Sequence, residues 1–294
     1  MTIAALLIVA LSTFMHAGWN LLVKHGGDES VFLRRMMIVH GVAGLLPFVV
    51  AEFLLDPLVP TAWPFFLGSG ACCGVYLLGL DRGYRATDFT VVYPVARAMP
   101  VLLVAVVEIP MGRVPTDPGW IGLILVAIGC VLAPLTSFGG FHPRAYLNRA
   151  VVWIVLAGLG TVGYSLIDNA AASSLDELDG LIPALRYGYW YFFVSAIIYL
   201  ALARCVVGPP ADDRSIGWLR PSFAAAMCFV GYSLIIWVYQ DTEQVSYVVA
   251  CRQFSIVIGV VAAFVIFRER GVFVRVTAAV LITSGMLVIA AWGQ

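Results

Sequence analysis

The sequence predicts an all-α membrane protein in which ten transmembrane helices form an inverted five-plus-five repeat. Composition is the first observation that leads to this prediction. Of the 294 residues, 62% are hydrophobic and 12% are charged, whereas soluble domains carry about 25% charged residues. The mean hydropathy is +0.96. We therefore expect a multi-pass integral membrane protein, located in the cytoplasmic membrane.

The spacing of apolar runs is the second observation. A helix needs about 20 apolar residues to cross a bilayer, and such runs fall at 3–23, 32–55, 63–81, 88–108, 118–136, 150–172, 181–204, 218–239, 244–266 and 272–291. The joining segments are short and rich in turn-forming and charged residues. No soluble domain is expected between the spans, and the first run has no basic region or cleavage site typical of a signal peptide.

Similarity between the two halves is the third observation. The segment AGWNLLVK at 17–24 aligns with VGYSLIDN at 162–169, and YPVARAMPVLLVAVV at 93–107 aligns with YVVACRQFSIVIGVV at 247–261. Five spans precede each repeat junction, so the second copy is inverted. Residues 1–140 and 141–294 are predicted to be the two repeats of one membrane domain, an architecture that many secondary transporters share, with the substrate site where the halves meet.

Charge and cysteine usage limit the partners. The formal net charge is zero, so no basic surface predicts nucleic-acid binding. The six cysteines lie in or beside apolar runs without metal-ligand spacing, which is typical of small packing residues in membrane helices. Of the 17 lysines and arginines, 13 lie in or beside odd-numbered loops. The positive-inside rule then predicts that the odd loops face the cytoplasm and both termini lie outside.

Three motifs carry a resemblance to a known family. MHAGWNLLVK in the first span, GYRATDFTVVYPVARAMP leading into the fourth and SYVVACRQFSIVIG in the ninth resemble the EamA-type branch of the drug/metabolite transporter superfamily. The resemblance covers the full length and implies ten spans, a five-plus-five repeat and movement of a small metabolite, often by export. The chain departs from the family at the end of the fourth span. There Glu108 lies further inward than the glutamate of the usual glycine-glutamate-basic pattern, whereas the ninth span keeps that glutamate as Glu269.

A polar stripe runs along the sixth span. Thr161, Tyr164, Ser165 and Asp168 follow helical spacing on an otherwise apolar segment, so they must face protein or water rather than lipid. They either join helices through hydrogen bonds or line a substrate path. Asp168, which can ionise, is a candidate for proton coupling.

The first span repeats this arrangement. Ser12, His16 and Asn20 recur at steps of four, with Trp19 beside them. A reference pKa of about 6.5 makes His16 the second candidate for proton coupling, although a membrane histidine can equally be a neutral hydrogen-bonding group. His40 in the second span has the same ambiguity.

Two arginines fall near the middle of their spans at almost equivalent places in the two repeats. Arg97 and Arg252 either bind a substrate carboxylate through paired hydrogen bonds, or form ion pairs inside the bundle with Asp81, Glu108 or Asp168, or cap carbonyl groups that the prolines leave free. Two prolines surround Arg97 but have no counterparts near Arg252. They predict a bent fourth helix beside a straighter ninth.

The candidate site combines these residues. Substrate-binding candidates are Trp19, Asn20, Tyr93, Arg97, Tyr164, Ser165, Tyr247, Arg252 and Gln253. The aromatic run YGYWYFF at 187–193 belongs either to the interfacial aromatic belt or to a cavity wall.

The predicted function is secondary-active transport of a small polar metabolite, with a proton as candidate coupling ion. The near balance of intramembrane charges favours an amino acid or related zwitterion or carboxylate. A quaternary amine bound in an aromatic cage is the alternative. No motif predicts an enzyme, a cofactor or a metal, so a membrane-embedded enzyme or a scaffold is less favoured. Besides the substrate and the proton, the expected partner is the lipid bilayer, and a monomer or a homodimer would each suffice.

Overall fold

The structure is a computed structural model that describes residues 2–24, 26–86, 89–133, 135, 137–140, 150–206, 216–265 and 272–293. Side chains are described in these ranges except at 24, 84–86, 89–95, 140, 150, 176, 263–265 and 272. The described residues form α-helices and short 3₁₀ turns, with no strand among them. The α-helices are α1 (Ile3–Lys24), α2 (Glu29–Ala43), α3 (Leu45–Leu54), α4 (Val59–Ala86), α5 (Phe89–Glu108), α6 (Asp117–Leu132), α7 (Ala150–Ser174), α8 (Leu181–Val206), α9 (Leu219–Gln240), α10 (Val245–Arg252), α11 (Phe254–Val265) and α12 (Val272–Trp292).

The helices have the length and surface of a membrane protein. Eight helical segments in the described part of the chain are long and apolar enough to cross a bilayer, and α6 is a shorter apolar helix. Large apolar side chains cover the outside of the bundle: Phe53, Leu219 and Phe273 are 84%, 84% and 86% exposed. Water would not tolerate a continuous apolar surface of this kind, whereas lipid does. The chain is an all-α, multi-pass integral membrane protein.

The second predicted span is divided between α2 and α3 at Gly44. The Tyr189 hydroxyl donates to the carbonyl of Gly41 at 3.1 Å, the group that a continuous helix would pair with the N–H of Leu45. The Tyr189 ring also fills the space where a Cβ on residue 44 would lie, 2.5 Å from Cε2. The break therefore follows from a tertiary contact with α8 that span-length counting cannot detect.

The ninth span is not the straighter helix that the sequence predicts. Helix α5 continues through Pro94 and Pro100, whereas the ninth span is interrupted at Gln253, between α10 and α11. Side chains compensate the break: the Gln253 amide donates to the Val249 carbonyl at 3.0 Å, and Ser255 Oγ donates to the Arg252 carbonyl at 2.9 Å. These local hydrogen bonds replace part of the helical ladder, so an interruption forms here without proline.

The main helix pairs join the two halves of the chain. Helix α4 packs against α7 and α8, α1 packs against α9, and α6 packs against α12. Each pair links a helix from residues 1–140 to one from residues 141–294. The two predicted repeats therefore form one interleaved bundle rather than two separate ones.

Close approach of α6 and α12 depends on glycine. A Cβ at Gly285 would lie 2.5 Å from the Gly122 carbonyl oxygen and 3.0 Å from the Val126 nitrogen. Both obstacles are backbone atoms, which cannot move aside as a flexible side chain can. Small residues let membrane helices approach this closely, and van der Waals packing then holds them together.

We expect Gly285→Ala to lower the stability of the bundle by about 1–3 kcal/mol, because the added methyl group overpacks the α6–α12 contact. Thermal unfolding in detergent measures the effect. Gly259→Ala is the matched control, since a Cβ at Gly259 meets no heavy atom within 4 Å. Equal melting temperatures for the two variants would contradict the proposed tight contact.

Candidate functional site

A cavity inside the bundle has two adjoining compartments. The first is here called the polar compartment, and its polar lining side chains are those of His16, Asn20, Arg97, Thr161, Arg252 and Gln253. The second is here called the aromatic compartment. His16, Tyr76, Tyr164 and Arg252 line both compartments, so the two are neighbours that share walls. The helices that contribute belong to both halves of the chain.

Rings and sulfur atoms line the aromatic compartment. Its six aromatic members are Trp19, Tyr76, Tyr164, Tyr191, Phe192 and Tyr232, and its sulfur-containing members are Met36, Met37, Cys73, Met227 and Cys228. The Tyr232 ring is central to this wall: it meets Tyr164 edge to face at 5.5 Å and stacks on Tyr191 at 4.8 Å. Such geometry is favourable for aromatic pairs, and the resulting surface suits an apolar or flat ligand group.

Arg97, His16 and Trp19 form a chain of contacts at the polar compartment. Arg97 Nη2 lies 2.8 Å from His16 Nε2, and Trp19 Nε1 lies 3.1 Å from His16 Nδ1. The Asn20 amide donates to the His16 backbone carbonyl at 2.7 Å. His16, which contacts two neighbours on α1, therefore also meets an arginine that comes from α5.

The contacts around His16 contain more hydrogen-bond donors than acceptors. Guanidinium and indole nitrogens can only donate, whereas a neutral imidazole has one acceptor nitrogen and an imidazolium has none. The two bonds to His16 therefore cannot both form at once. In either neutral tautomer, one ring N–H of His16 points at another donor, either Arg97 or Trp19.

Arg252 lies at the last residue of α10, directly before the helix break. Its guanidinium carbon is 5.1 Å from the centre of the Tyr232 ring, a cation–π distance. The side chain is buried, and its Nε has no hydrogen-bond partner among the described residues. The break thus presents a buried guanidinium to both compartments.

Asp168 is buried beside the aromatic compartment, and its carboxylate is bound by tyrosines. The Tyr187 hydroxyl donates to Oδ1 at 2.7 Å and the Tyr232 hydroxyl donates to Oδ2 at 2.5 Å. Tyr232 therefore contacts Asp168 through its hydroxyl and Arg252 through its ring face. The carboxylate and the guanidinium are connected through one tyrosine side chain.

The remaining predicted site residues lie apart from the cavity or outside the described side chains. Ser165 is fully buried in α7, and its Oγ has no partner among the described residues. Tyr247 lies at one end of the bundle, where its hydroxyl accepts from the Thr116 N–H at 3.3 Å. The side chain of Tyr93 and the whole of Glu269 fall outside the part of the chain that the structure describes.

Glu108 binds the start of the ninth span. Its two carboxylate oxygens accept from the backbone N–H groups of Val245 at 2.7 Å and Ser246 at 3.0 Å. These are orphan donors at the N-terminus of α10, where a carboxylate is stabilising. The inward displacement of Glu108 thus gives it a capping role. With Glu108 and Asp168 both engaged in this way, the structure does not favour the alternative in which they pair with the intramembrane arginines.

Further hydrogen bonds near Glu108 also join the two halves of the chain. Arg113 Nη1 donates to the Asn169 side-chain oxygen at 2.5 Å, and the Asn169 amide donates to the Thr242 carbonyl at 2.8 Å. We refer to these contacts, together with those of Glu108 and Tyr247, as the end junction. It joins α5 and the segment that follows it to α7 and α10.

Several residues in or beside the cavity were not identified from the sequence. Tyr76 and Tyr232 stand alone in apolar runs, so no local pattern marks them. Tyr187 and Tyr191 were identified only within the aromatic run, although Tyr187, Tyr191, Ser195 and Tyr199 are all buried and recur at steps of four. That helical spacing was the available signal that this face of α8 points inward.

Comparison with known proteins gives a shared fold. No family model and no curated protein matches the chain. A solved structure, described only as the crystal structure of a protein, matches 100% of this chain and 98% of its own chain with a TM-score of 0.74. The two share 17% sequence identity, so this likeness concerns the fold alone.

Proposed function

We propose that the chain is a secondary-active transporter that moves a small carboxylate-bearing metabolite, such as an amino acid or a related compound, across the cytoplasmic membrane. The observation that carries the proposal is the cavity lined by Arg97 and Arg252 inside a membrane-spanning bundle. Charged groups at this depth are costly, and they commonly mark a substrate path. Arg252 also lies at a helix break, and discontinuous helices commonly form the binding sites of secondary transporters.

The helix pairing supports an inverted repeat of ten spans. In this count α2 and α3 together form the second span, and α10 and α11 together form the ninth. In such a repeat α1 corresponds to α7, α4 to α9, and α6 to α12. The α1–α9 pair therefore corresponds to the α7–α4 pair, and the α6–α12 pair corresponds to itself. All three are main contacts of the bundle. The aligned glycines behave alike: Gly18 packs on Met227 of α9, and Gly163 packs on Cys72 of α4.

EamA-type membership is part of the proposal. It rests on the motifs in the first, fourth and ninth spans, whose residues Trp19, Arg97 and Arg252 line the cavity. A transporter site would explain why charged and aromatic residues occur in these otherwise apolar segments.

Alternating access would require the end junction to open. Hydrogen bonds that Glu108 accepts from α10 and that Arg113 donates to Asn169 hold the halves together there. The lysine and arginine bias of the loops assigns this end to the outer side of the membrane. Rocking of the two repeats about the cavity would break these bonds and expose the site to that side.

Asp168 is the preferred candidate for proton coupling. Through Tyr232 it is connected to Arg252, so a change in its protonation can alter the cavity wall. His16 is less suited in this arrangement, because an imidazolium could accept neither the Arg97 nor the Trp19 hydrogen bond.

Counterflow in proteoliposomes tests the proposed function. Purified protein is reconstituted with unlabelled solute inside, and entry of the labelled solute is followed over a panel of amino acids, organic acids and quaternary amines. We expect transient accumulation of at least one carboxylate-bearing solute and none in protein-free vesicles. Exchange of choline or betaine alone would favour the aromatic-cage alternative, whereas absence of exchange across the panel would contradict transport.

A further inference from the structure

The two adjoining compartments, which share four lining residues, differ in chemistry. The polar compartment has two guanidinium groups, an imidazole and two amides, whereas rings and sulfur atoms line the aromatic compartment. A ligand that fills both must combine a polar head with an apolar body. Because Tyr164 and Arg252 line both compartments, the head and the body would lie in direct succession.

The charge of the lining favours an anion. No aspartate or glutamate appears among the described residues that line either compartment, whereas Arg97 and Arg252 line the polar one. Asp168, buried beside the wall, has both oxygens engaged by tyrosine hydroxyls. A ligand ammonium group would therefore meet two like charges and, among the described lining residues, no carboxylate, and it would lose its hydration on entry.

The unbalanced contacts of His16 favour an oxygen acceptor at a defined place. When His16 accepts from Trp19 through Nδ1, its Nε2–H and the Arg97 Nη2–H face each other across 2.8 Å. A carboxylate oxygen inserted beside them can accept from both groups, which relieves the contact between the two donors. A ligand amine could not do so while protonated, since it has no acceptor.

From these observations, and on the basis of the proposed transport function, we propose that the cavity binds an amphipathic organic anion without an ammonium group. Its carboxylate lies among Arg97, His16 and Arg252, and its apolar, flat body lies against Tyr164, Tyr191 and Tyr232. An aromatic monocarboxylate meets this description. The proposal narrows the carboxylate class to anions and excludes the zwitterion that balanced intramembrane charge had favoured.

Four small probes separate the contributions of the head and the body. They are 3-phenylpropanoate, phenylalanine, 2-phenylethylamine and propanoate, tested on the wild-type protein by isothermal titration in detergent and by counterflow in proteoliposomes. We expect 3-phenylpropanoate to bind tightest. Phenylalanine should bind at least about tenfold more weakly because of its ammonium group, and propanoate about ten- to hundredfold more weakly because it lacks the ring. The amine should not bind.

The outcomes distinguish this proposal from the transport function. Tighter binding and faster exchange of phenylalanine than of 3-phenylpropanoate would overturn the anion proposal while leaving transport intact. Equal binding of propanoate and 3-phenylpropanoate would show that the aromatic compartment does not contribute to binding. Binding of 3-phenylpropanoate without exchange of any solute would support the anion site and contradict transport.

Trp19→Phe tests the role of His16 directly. Without the indole donor, His16 can place its proton on Nδ1 and accept from Arg97 through Nε2, so the donor conflict is relieved in the empty protein. We expect affinity for 3-phenylpropanoate to fall about three- to tenfold, with the order of the four probes unchanged. Trp63→Phe, at a half-exposed position on α4, is the matched control and should bind as the wild type does. Unchanged affinity in Trp19→Phe would contradict the inserted-oxygen geometry.

Discussion

Arg252→Gln is expected to reduce carboxylate transport by about ten- to hundredfold, the loss typical of a charged hydrogen-bonding group at a binding site. The guanidinium is buried at the break between α10 and α11, lines both compartments and lies over the Tyr232 ring. Glutamine keeps a polar side chain of moderate length but removes the charge that would attract a carboxylate. The measurement is the concentration dependence of counterflow, with binding in detergent as an independent check.

A conservative variant separates charge from geometry at this position. Arg252→Lys keeps the positive charge but loses the planar pair of donors, so we expect transport between that of Arg252→Gln and the wild type. Arg35→Gln is the control, because Arg35 contacts Trp218 and the Gly217 carbonyl, away from the cavity. If Arg252→Gln and Arg35→Gln both transported at the wild-type rate, Arg252 would have no role in substrate binding.

Asp168→Asn is expected to abolish proton-driven accumulation while leaving counterflow exchange in place. Asparagine is nearly the same size as aspartate and can still hydrogen-bond to Tyr187 and Tyr232, because a tyrosine hydroxyl can either donate or accept. The substitution removes the only titratable proton at that position. The experiment compares uptake in vesicles with an imposed pH gradient against counterflow without one.

The Asp168→Leu variant shows how a loss of folding at this position would differ from a loss of proton coupling. Asp168→Leu leaves two buried hydroxyls without their acceptor, so we expect it to lower stability by about 2–6 kcal/mol, from about 1–3 kcal/mol for each unsatisfied group. Asp168→Asn should unfold close to the wild-type temperature. Continued accumulation by Asp168→Asn under a pH gradient would show that proton coupling, if present, depends on another group.

The membrane class of the protein follows from the sequence for a local reason. Hydrophobicity over about 20 residues determines whether a segment can lie in a bilayer, and each predicted apolar run is mostly helical over the residues that the structure describes. Interruptions within runs were not predictable in the same way. The break at Gly44 depends on Tyr189, which lies far along the chain. The prolines of α5, although strong local signals, did not interrupt their helix.

The candidate site was partly predictable because intramembrane charge is rare. Arg97, Arg252 and His16 stand out in apolar runs, and the structure places all three at one cavity. Ser165 and Tyr247 carried similar polar signals but lie apart from it. Polar residues inside the membrane can be identified from the sequence, since each needs a partner or water. Their partners cannot be predicted in this way.

Sequence alone thus determined an all-α membrane protein and a short set of unusual intramembrane side chains, because both depend on local composition. Tertiary structure alone decided that Tyr232 connects Asp168 to Arg252, that Glu108 caps α10, and that Arg97 and Trp19 compete for His16. These contacts join residues from distant helices. Their distances follow from how the helices pack, which no single segment encodes.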